Sequence, residues 1–427
     1  MLHDEKLVNL ATGEEYLDDG LLLEIADAPS LLRTVYGIKK LVVKPDQPGI
    51  FRFMDWLPIT RVLPGGGAPI TYHSKALGPS IGLDRLYITF NGYWPERGAE
   101  MESGTFKECE AYSVWGRFPE DAGCLVVASA GNTARAFIKV ASENDIGLVV
   151  VVPERNLDAL WSLTEIGPCV KLVVAGGDSD YFDAIRLAGQ ICTFDGFVNE
   201  GGAKNVARRD GMGTTVLSAV TEIGEIPDYY FQAIGSGTGA IAAHEANLRF
   251  NESGDYHPNT MKLMLSQNLP FVPMARAWQQ HSRELPLEDP GEAAAQLEQI
   301  EAKVLSNRQP PYGIIGGLYD ALTATGGTID AVTNTELRQA KALFERLEGQ
   351  DICAEAAVAT ASLINHAKQG DIRSDAVVML NVTGGGMEAL KASRRYFRPT
   401  PALTVPRQAI GAAEQVLTHS LSLLRYH

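Results

Sequence analysis

Metal-ligand patterns are missing from this sequence. The five cysteines, Cys109, Cys124, Cys169, Cys192 and Cys353, contain no C-x-x-C spacing, and the eight histidines contain no H-E-x-x-H. No metal site is expected. Five cysteines in 427 residues are few and odd in number, which fits a reducing compartment where thiols pack as small apolar side chains. Basic excess is also missing. The net charge of −15 argues against a nucleic-acid face and against anionic membranes. No apolar run reaches the ~18–20 residues of a transmembrane helix. No G-x-S-x-G elbow is present, so a serine hydrolase is not supported. The first residues, Met1-Leu2-His3-Asp4-Glu5, lack the basic start and apolar core of a secretory signal. The cytoplasm is the expected compartment. No internal repeat or low-complexity tract is visible.

The chain is long enough for two or three domains with ample core. Residues 1–50 read as short strands and turns. Phe51 to Pro58 supplies aromatic anchors, and Arg85–Phe90 alternates as a strand. From Cys124 onward, β-branched runs alternate with helices. Cys124–Ala128, Gly147–Pro153 and Val170–Val174 are strands; Thr133–Ser142, Leu157–Ile166 and Tyr181–Cys192 are helices, the last with Phe182, Ile185, Leu187 and Ala188 to one side. A second set follows: a helix over Thr214–Ile223, strand Tyr229–Ile234, helix Ala240–Leu248 and strand Met261–Ser266. Residues 285–305 read as helical, as do Leu337–Leu347 and Glu355–His366. Ala376–Asn381 is the last core strand, and the tail after Pro399 is weakly determined. Such alternation implies an α/β fold with parallel sheets covered on both faces. The expected division is a segment 1–50, a large domain of 51–120 and 206–427, and a small mobile α/β domain, 121–205.

Four small-residue stretches carry the chemistry. Gly104-Thr105-Phe106-Lys107 presents one lysine, whose amine can form a Schiff base with an aldehyde. Ser129-Ala130-Gly131-Asn132-Thr133 runs from a strand into a helix; it is either a carboxylate cradle or an ordinary N-cap. Gly235-Ser236-Gly237-Thr238-Gly239 joins strand to helix and suits a phosphate. It also fits G-x-G-x-x-A, but the next strand ends at Ser266-Gln267-Asn268, without the acidic residue a dinucleotide ribose requires. Asn381-Val382-Thr383-Gly384-Gly385-Gly386 is a fourth turn, whose threonine either closes a simple turn or bonds a heterocycle nitrogen. The stretch Gly201–Gly211, which holds Lys204, Asn205 and Arg208, concentrates cations beside glycines, either for an oxyanion or as a surface cluster.

In this order, these motifs resemble the fold type II pyridoxal-phosphate enzymes (tryptophan synthase beta-like). Gly92-Tyr93-Trp94-Pro95-Glu96, Asn205–Arg209, Gln267–Met274 and Gly317–Leu322 further resemble the threonine synthase branch and, within it, the cysteate synthases. The resemblance implies two α/β lobes around a central cofactor cleft and pyridoxal 5'-phosphate as cofactor. It implies that Lys107 carries the cofactor, Asn132 its phenolic oxygen, Gly235, Ser236, Gly237, Thr238 and Gly239 its phosphate, and Thr383 its ring nitrogen. Ser129, Ala130 and Thr133 would take the substrate carboxylate. Lys204, Asn205 and Arg208 are candidates for the oxyanion. The implied reaction converts L-phosphoserine and sulfite to L-cysteate and phosphate, in coenzyme M biosynthesis. A homo-oligomer is the expected assembly. Threonine synthase, acting on phosphohomoserine, is the alternative, and a non-catalytic ligand-sensing relative a further one. Two departures bear on these. Many relatives open with a zinc-ribbon cysteine pair, and residues 1–50 have no cysteine. Threonine synthases usually carry Ser-Phe-Lys-Asp-Arg-Gly, where this chain has Thr105-Phe106-Lys107-Glu108-Cys109-Glu110.

Overall fold

In the computed structural model, residues 5–425 are described, apart from 130, 288, 394, 412 and 413. The described chain starts with an antiparallel ribbon of β1 (Lys6–Asn9), β2 (Glu15–Leu17) and β3 (Leu32–Val35), in the order β2-β1-β3. A 3-10 stretch, Gly49–Trp56, then buries Phe51, Phe53 and Trp56. Strand β4 (Ile70–His73), the single turn α1 (Leu77–Ser80) and β5 (Leu86–Phe90) open the larger sheet. A hairpin of β6 (Tyr93–Trp94) and β7 (Ala99–Glu100) leads to α2 (Lys107–Arg117).

The smaller sheet follows. It contains β8 (Cys124–Ala128), α3 (Asn132–Asn144), β9 (Leu148–Pro153), β10 (Val170–Gly176), α4 (Tyr181–Ile191) and β11 (Phe197–Asn199). All six residues of β9 are buried, as expected of a strand covered on both faces. The chain returns through α5 (Val206–Ile223), β12 (Tyr229–Ala233), α6 (Thr238–Ser253), β13 (Lys262–Asn268), α7 (Pro273–Gln279), α8 (Pro290–Gln299) and α9 (Leu318–Thr325). Strand β14 (Thr328–Val332), α10 (Asn334–Glu348), α11 (Ala354–Gln369), β15 (Val378–Val382) and α12 (Met387–Ser393) complete this part. The larger sheet runs β14-β13-β12-β15-β5-β4, parallel except for β4. Strand β16 (Pro401–Pro406) and α13 (Glu414–Leu424) end the fold.

Several local expectations are corrected. Strand β16 pairs in parallel with β10, so the smaller sheet is β11-β8-β9-β10-β16 and draws its edge from beyond residue 400. Residues 157–166 form no α-helix. A 3-10 stretch, Glu154–Ala159, takes in only residues 157–159 of that span, the rest is irregular, and Ser162 pairs its main chain with Phe397. The helix read over 285–305 is only Pro290–Gln299. Asp289 caps its start, and the Asn268 side chain captures the N–H groups of Glu301 and Ala302 just past its end. Helix α5 begins at Val206 rather than Thr214, because Asn205 caps it. On α4, Phe182 and Ile185 are exposed, and the buried stripe is Ala184, Leu187, Ala188 and Ile191.

Helices α2 and α5 pack closely where Gly211 faces Cys109; a Cβ there would stand 2.4 Å from the Cys109 carbonyl oxygen. This contact sets the lysine helix against α5. His244 on α6 is a partly buried imidazole. Burial, and then the Arg33 charge, depress it from 6.5 to about 4. Its folded value lies below its unfolded one, so stability is complete above the ordinary value. As pH falls from about 6.5 to 4, the unfolded chain takes the proton first, and up to about 3 kcal/mol is lost. Denaturant titrations at neutral pH and near pH 4 are expected to show a smaller acid loss for His244→Gln than for the parent.

Candidate active site

Parallel strands deliver their C-terminal ends to one edge, and ligands of open α/β sheets bind there. Strand β8 runs out into Ser129, β12 into Gly235 and β15 into Thr383. The lysine segment reaches the same place through main-chain pairing. Thr105 bridges Gly384, and Phe106 N donates to the Thr383 carbonyl at 3.0 Å. Gly384 permits this approach: a Cβ would stand 2.9 Å from Thr105 Cγ2 and 3.0 Å from Cys353 Sγ. Lys107 is thereby the first residue of α2. Glu108 fixes the approach, accepting from Gly67 N at 3.0 Å and Ser103 N at 2.8 Å.

One cavity of about 440 Å³ collects these segments. Lys107, Ser129, Asn132, Thr133, Gly235 to Gly239, Thr383, Lys204 and Arg208 all line it. Ala130 lies outside the described residues. Lys107 Nζ donates to Glu110 Oε2 at 3.1 Å and approaches Met212 Sδ at 3.9 Å. Ser129 Oγ ties its own turn, accepting from Gly131 N at 3.0 Å and Ala134 N at 2.9 Å. Asn132 Nδ2 donates to Glu355 Oε1 at 3.0 Å. Burial pushes the Glu355 carboxyl up, against the opposing effects of its hydrogen bonds and of Arg135 and Lys107.

The glycine loop turns directly into the sixteen-residue α6, whose first N–H groups and positive dipole end suit a phosphate. Gly237 holds the left-handed φ of +80° that the turn needs. A Cβ at Gly239 would lie 2.8 Å from Gln232 Nε2 and 3.0 Å from Phe106. Behind the loop, Asn381 Nδ2 donates to Tyr230 Oη at 2.7 Å and Gln232 Oε1 at 3.0 Å, locking adjacent strand ends.

The expected oxyanion group divides. Asn205 does not line the cavity; its amide caps α5 through Ala207 N and donates to the Glu200 carbonyl at 2.8 Å. Arg208 lines the wall, but Glu200 grips its guanidinium, with Nε donating to Oε1 at 2.7 Å and Nη2 to Oε2. Burial pushes the Glu200 carboxyl up while Arg208 opposes it. Lys204 pairs with Glu24 at 2.5 Å on the surface. Sequence reasoning missed Glu110, Glu200, Glu355, Tyr181 and the wall from Val304 to Gln309. The carboxylates carried no motif, and in an acidic chain they read as surface.

The pyridoxal-phosphate dependent enzyme family model matches residues 94–384. Cysteate synthase of Methanosarcina barkeri is 46% identical over 411 residues, covering 96% of this chain and 98% of that protein. Cysteate synthase of Methanosphaerula palustris is 48% identical over 380 residues, 88% of each chain. Among solved structures, maize serine racemase aligns with a TM-score of 0.57 at 13% identity, over 83% of this chain and 92% of that one. The processed form of threonine deaminase isoform 2 from Solanum lycopersicum gives 0.53 at 15% identity, over 82% and 94%. Those two likenesses establish the fold type II architecture. The donor set fits pyridoxal phosphate: a lysine amine, a glycine cradle at a helix start with no room for a Cβ at Gly239, and a buried threonine hydroxyl share one cavity. By its fold, its lysine cavity and its near full-length match to these relatives, the chain belongs to the pyridoxal-phosphate dependent enzymes and, within them, to the cysteate synthase family.

Proposed function

We propose that the protein converts L-phosphoserine and sulfite to L-cysteate and phosphate. The observation that carries this reading is the meeting of Lys107, Asn132, the Gly235–Gly239 loop and Thr383 on one cavity. Pyridoxal phosphate bound there supplies an electron sink for an amino acid's Cα–H bond. Lys107 Nζ would anchor that group, and the same amine would take the substrate's Cα proton. The start of α6 holds the cofactor phosphate, and the hydroxyl of Thr383 is a neutral partner for the ring nitrogen. The Ser129–Thr133 turn orients the substrate carboxylate. At Cβ the bond to phosphate oxygen breaks and a bond to sulfite sulfur forms. The proton held at Lys107 returns to Cα.

Lys204 is the cation best placed to receive an oxyanion. Its pair with Glu24 is solvent-exposed, and such pairs exchange partners at little cost. The smaller sheet and its helices would close over the substrate to exclude water. We place the product in coenzyme M biosynthesis and the enzyme in the cytoplasm as a homo-oligomer. Among the described residues, no helix is long and apolar enough to cross a membrane. The segment Glu108-Cys109-Glu110 favours this reading over threonine synthase. The deciding experiment is product identification from phosphoserine plus sulfite with the purified holoenzyme. Cysteate and phosphate in equal amounts are expected. Threonine formed from O-phosphohomoserine, with no cysteate, would reverse the assignment.

A further inference from the structure

The reading above leaves Glu110 without a task, although it is the acidic residue closest to the working amine. It stands one helical turn after Lys107 on α2, where residues three apart share a face. Its side chain is fully buried. Oε2 accepts from Lys107 Nζ at 3.1 Å. Oε1 has no hydrogen-bond donor and lies 3.6 Å from Arg208 Nη1. Arg208 is held on its far side by both oxygens of Glu200.

The four groups form a row of alternating charge, Lys107, Glu110, Arg208, Glu200, running from α2 across α5 to the end of β11. Two cations and two anions balance. A buried carboxylate is costly unless paired, and this one has a cation on each side. Arg208 is accordingly a poor free receptor for an incoming anion, since carboxylates stand on two sides of its guanidinium. Glu108 takes no part, being bonded to Gly67 N and Ser103 N. The other titratable groups facing Glu110 are Tyr181 from α4 and Cys109 on its own helix, and burial pushes both of these up. Glu355 faces Lys107 from α11. Among the described residues, Glu110 is the charged group hydrogen-bonded to Nζ.

We propose that Glu110 is the positioning residue for Lys107. Its carboxylate fixes the direction of the amine and keeps on that nitrogen the proton drawn from the substrate until it is returned, while Arg208, gripped by Glu200, holds Glu110 in place. An anion about 3 Å from a basic nitrogen favours the nitrogen's charged form. A proton stored there, beside a carboxylate closed to water, is kept for Cα rather than lost to solvent. The inference rests on Lys107 being the base, and not on which substrate is used.

The test uses Glu110→Gln in the holoenzyme. The bound cofactor's absorbance is titrated against pH without substrate, and kcat and KM are measured separately. Gln removes the anion and keeps the shape. The variant is expected to fold and load cofactor, with the titration midpoint lowered by about one unit or more. Its kcat should fall at least about tenfold while KM moves less than about threefold. Glu110→Asp restores the charge but withdraws it from Nζ, so it should lie between the two. A folded, loaded Glu110→Gln with the parent midpoint overturns the proposal. If that variant does not fold, Glu110→Asp decides: a lowered midpoint supports the proposal and an unchanged one overturns it. A lowered midpoint with no cysteate from phosphoserine and sulfite would sink the proposed reaction and leave this inference standing.

Discussion

Lys107→Ala is expected to lower kcat at least about 10³-fold. The same change should remove covalent attachment of the cofactor. Borohydride reduction followed by peptide mapping checks this directly. In the parent, the added mass sits on the peptide containing Lys107; in the variant it is absent. Cofactor can still dock in the variant, because the glycine loop at the start of α6 and the Thr383 turn are untouched. Loss of turnover with residual non-covalent binding therefore separates the chemistry of the amine from the shape of the cradle. Reduced cofactor found on any other lysine of the parent would contradict the site. The geometry makes that outcome unexpected, since of the two lysines lining the cavity Lys204 is the more exposed and is paired with Glu24.

The second large effect concerns stability. Asp210→Ala should destabilise the fold by about 3–5 kcal/mol, the range for removing one partner of a buried ion pair. Asp210 is 2% exposed. Its Oδ2 accepts from Thr34 Oγ1 and Tyr36 Oη at 2.7 Å each, and its Oδ1 accepts from Arg249 Nη2. One carboxylate thus fastens the N-terminal ribbon to α5 and α6. Without it, the buried Arg249 guanidinium loses its hydrogen-bonded carboxylate and keeps only the weaker influence of Glu245, and Thr34 and Tyr36 lose their acceptor. Denaturant unfolding of Asp210→Ala, beside the double variant Asp210→Ala/Arg249→Met, measures the effect. The double variant should recover part of the loss, because it removes the stranded cation as well. A single-variant loss below about 1 kcal/mol would contradict the fastening role. The ribbon holds to the core through this and similar pairs, such as Arg117 with Asp18.

The legible part of this protein was its local grammar. Buried β-branched runs such as Leu148–Pro153 announced strands. Small residues at their ends announced tight turns, and Ser129, Gly131, Asn132, Thr133, the Gly235–Gly239 loop and Thr383 all lie on the cavity wall. Local reading failed where a distant side chain set the boundary. The helix read over 285–305 stops at Gln299, and the N–H groups just beyond it are bonded by Asn268, some thirty residues earlier in the chain. The basic cluster split: Lys204 precedes α5 and pairs with Glu24 at the surface, whereas Arg208 lies in the first turns of α5, which Asn205 caps, and is buried against Glu200.

By itself, the sequence determined most element types and where the small-residue turns fall, because periods of two and 3.6 residues and the glycine content of a turn are local properties. Only the tertiary structure decided which turns meet. Positions 107, 132, 237 and 383 converge because parallel strands from two sheets end at one edge and because Thr105 bridges Gly384. The same long-range pairing placed β16 beside β10 and brought Arg208 and Glu200 up behind Glu110. A carboxylate on a helix looks alike in sequence whether it faces water or an arginine. The difference lies in packing between segments remote along the chain, and local periodicity carries no record of it.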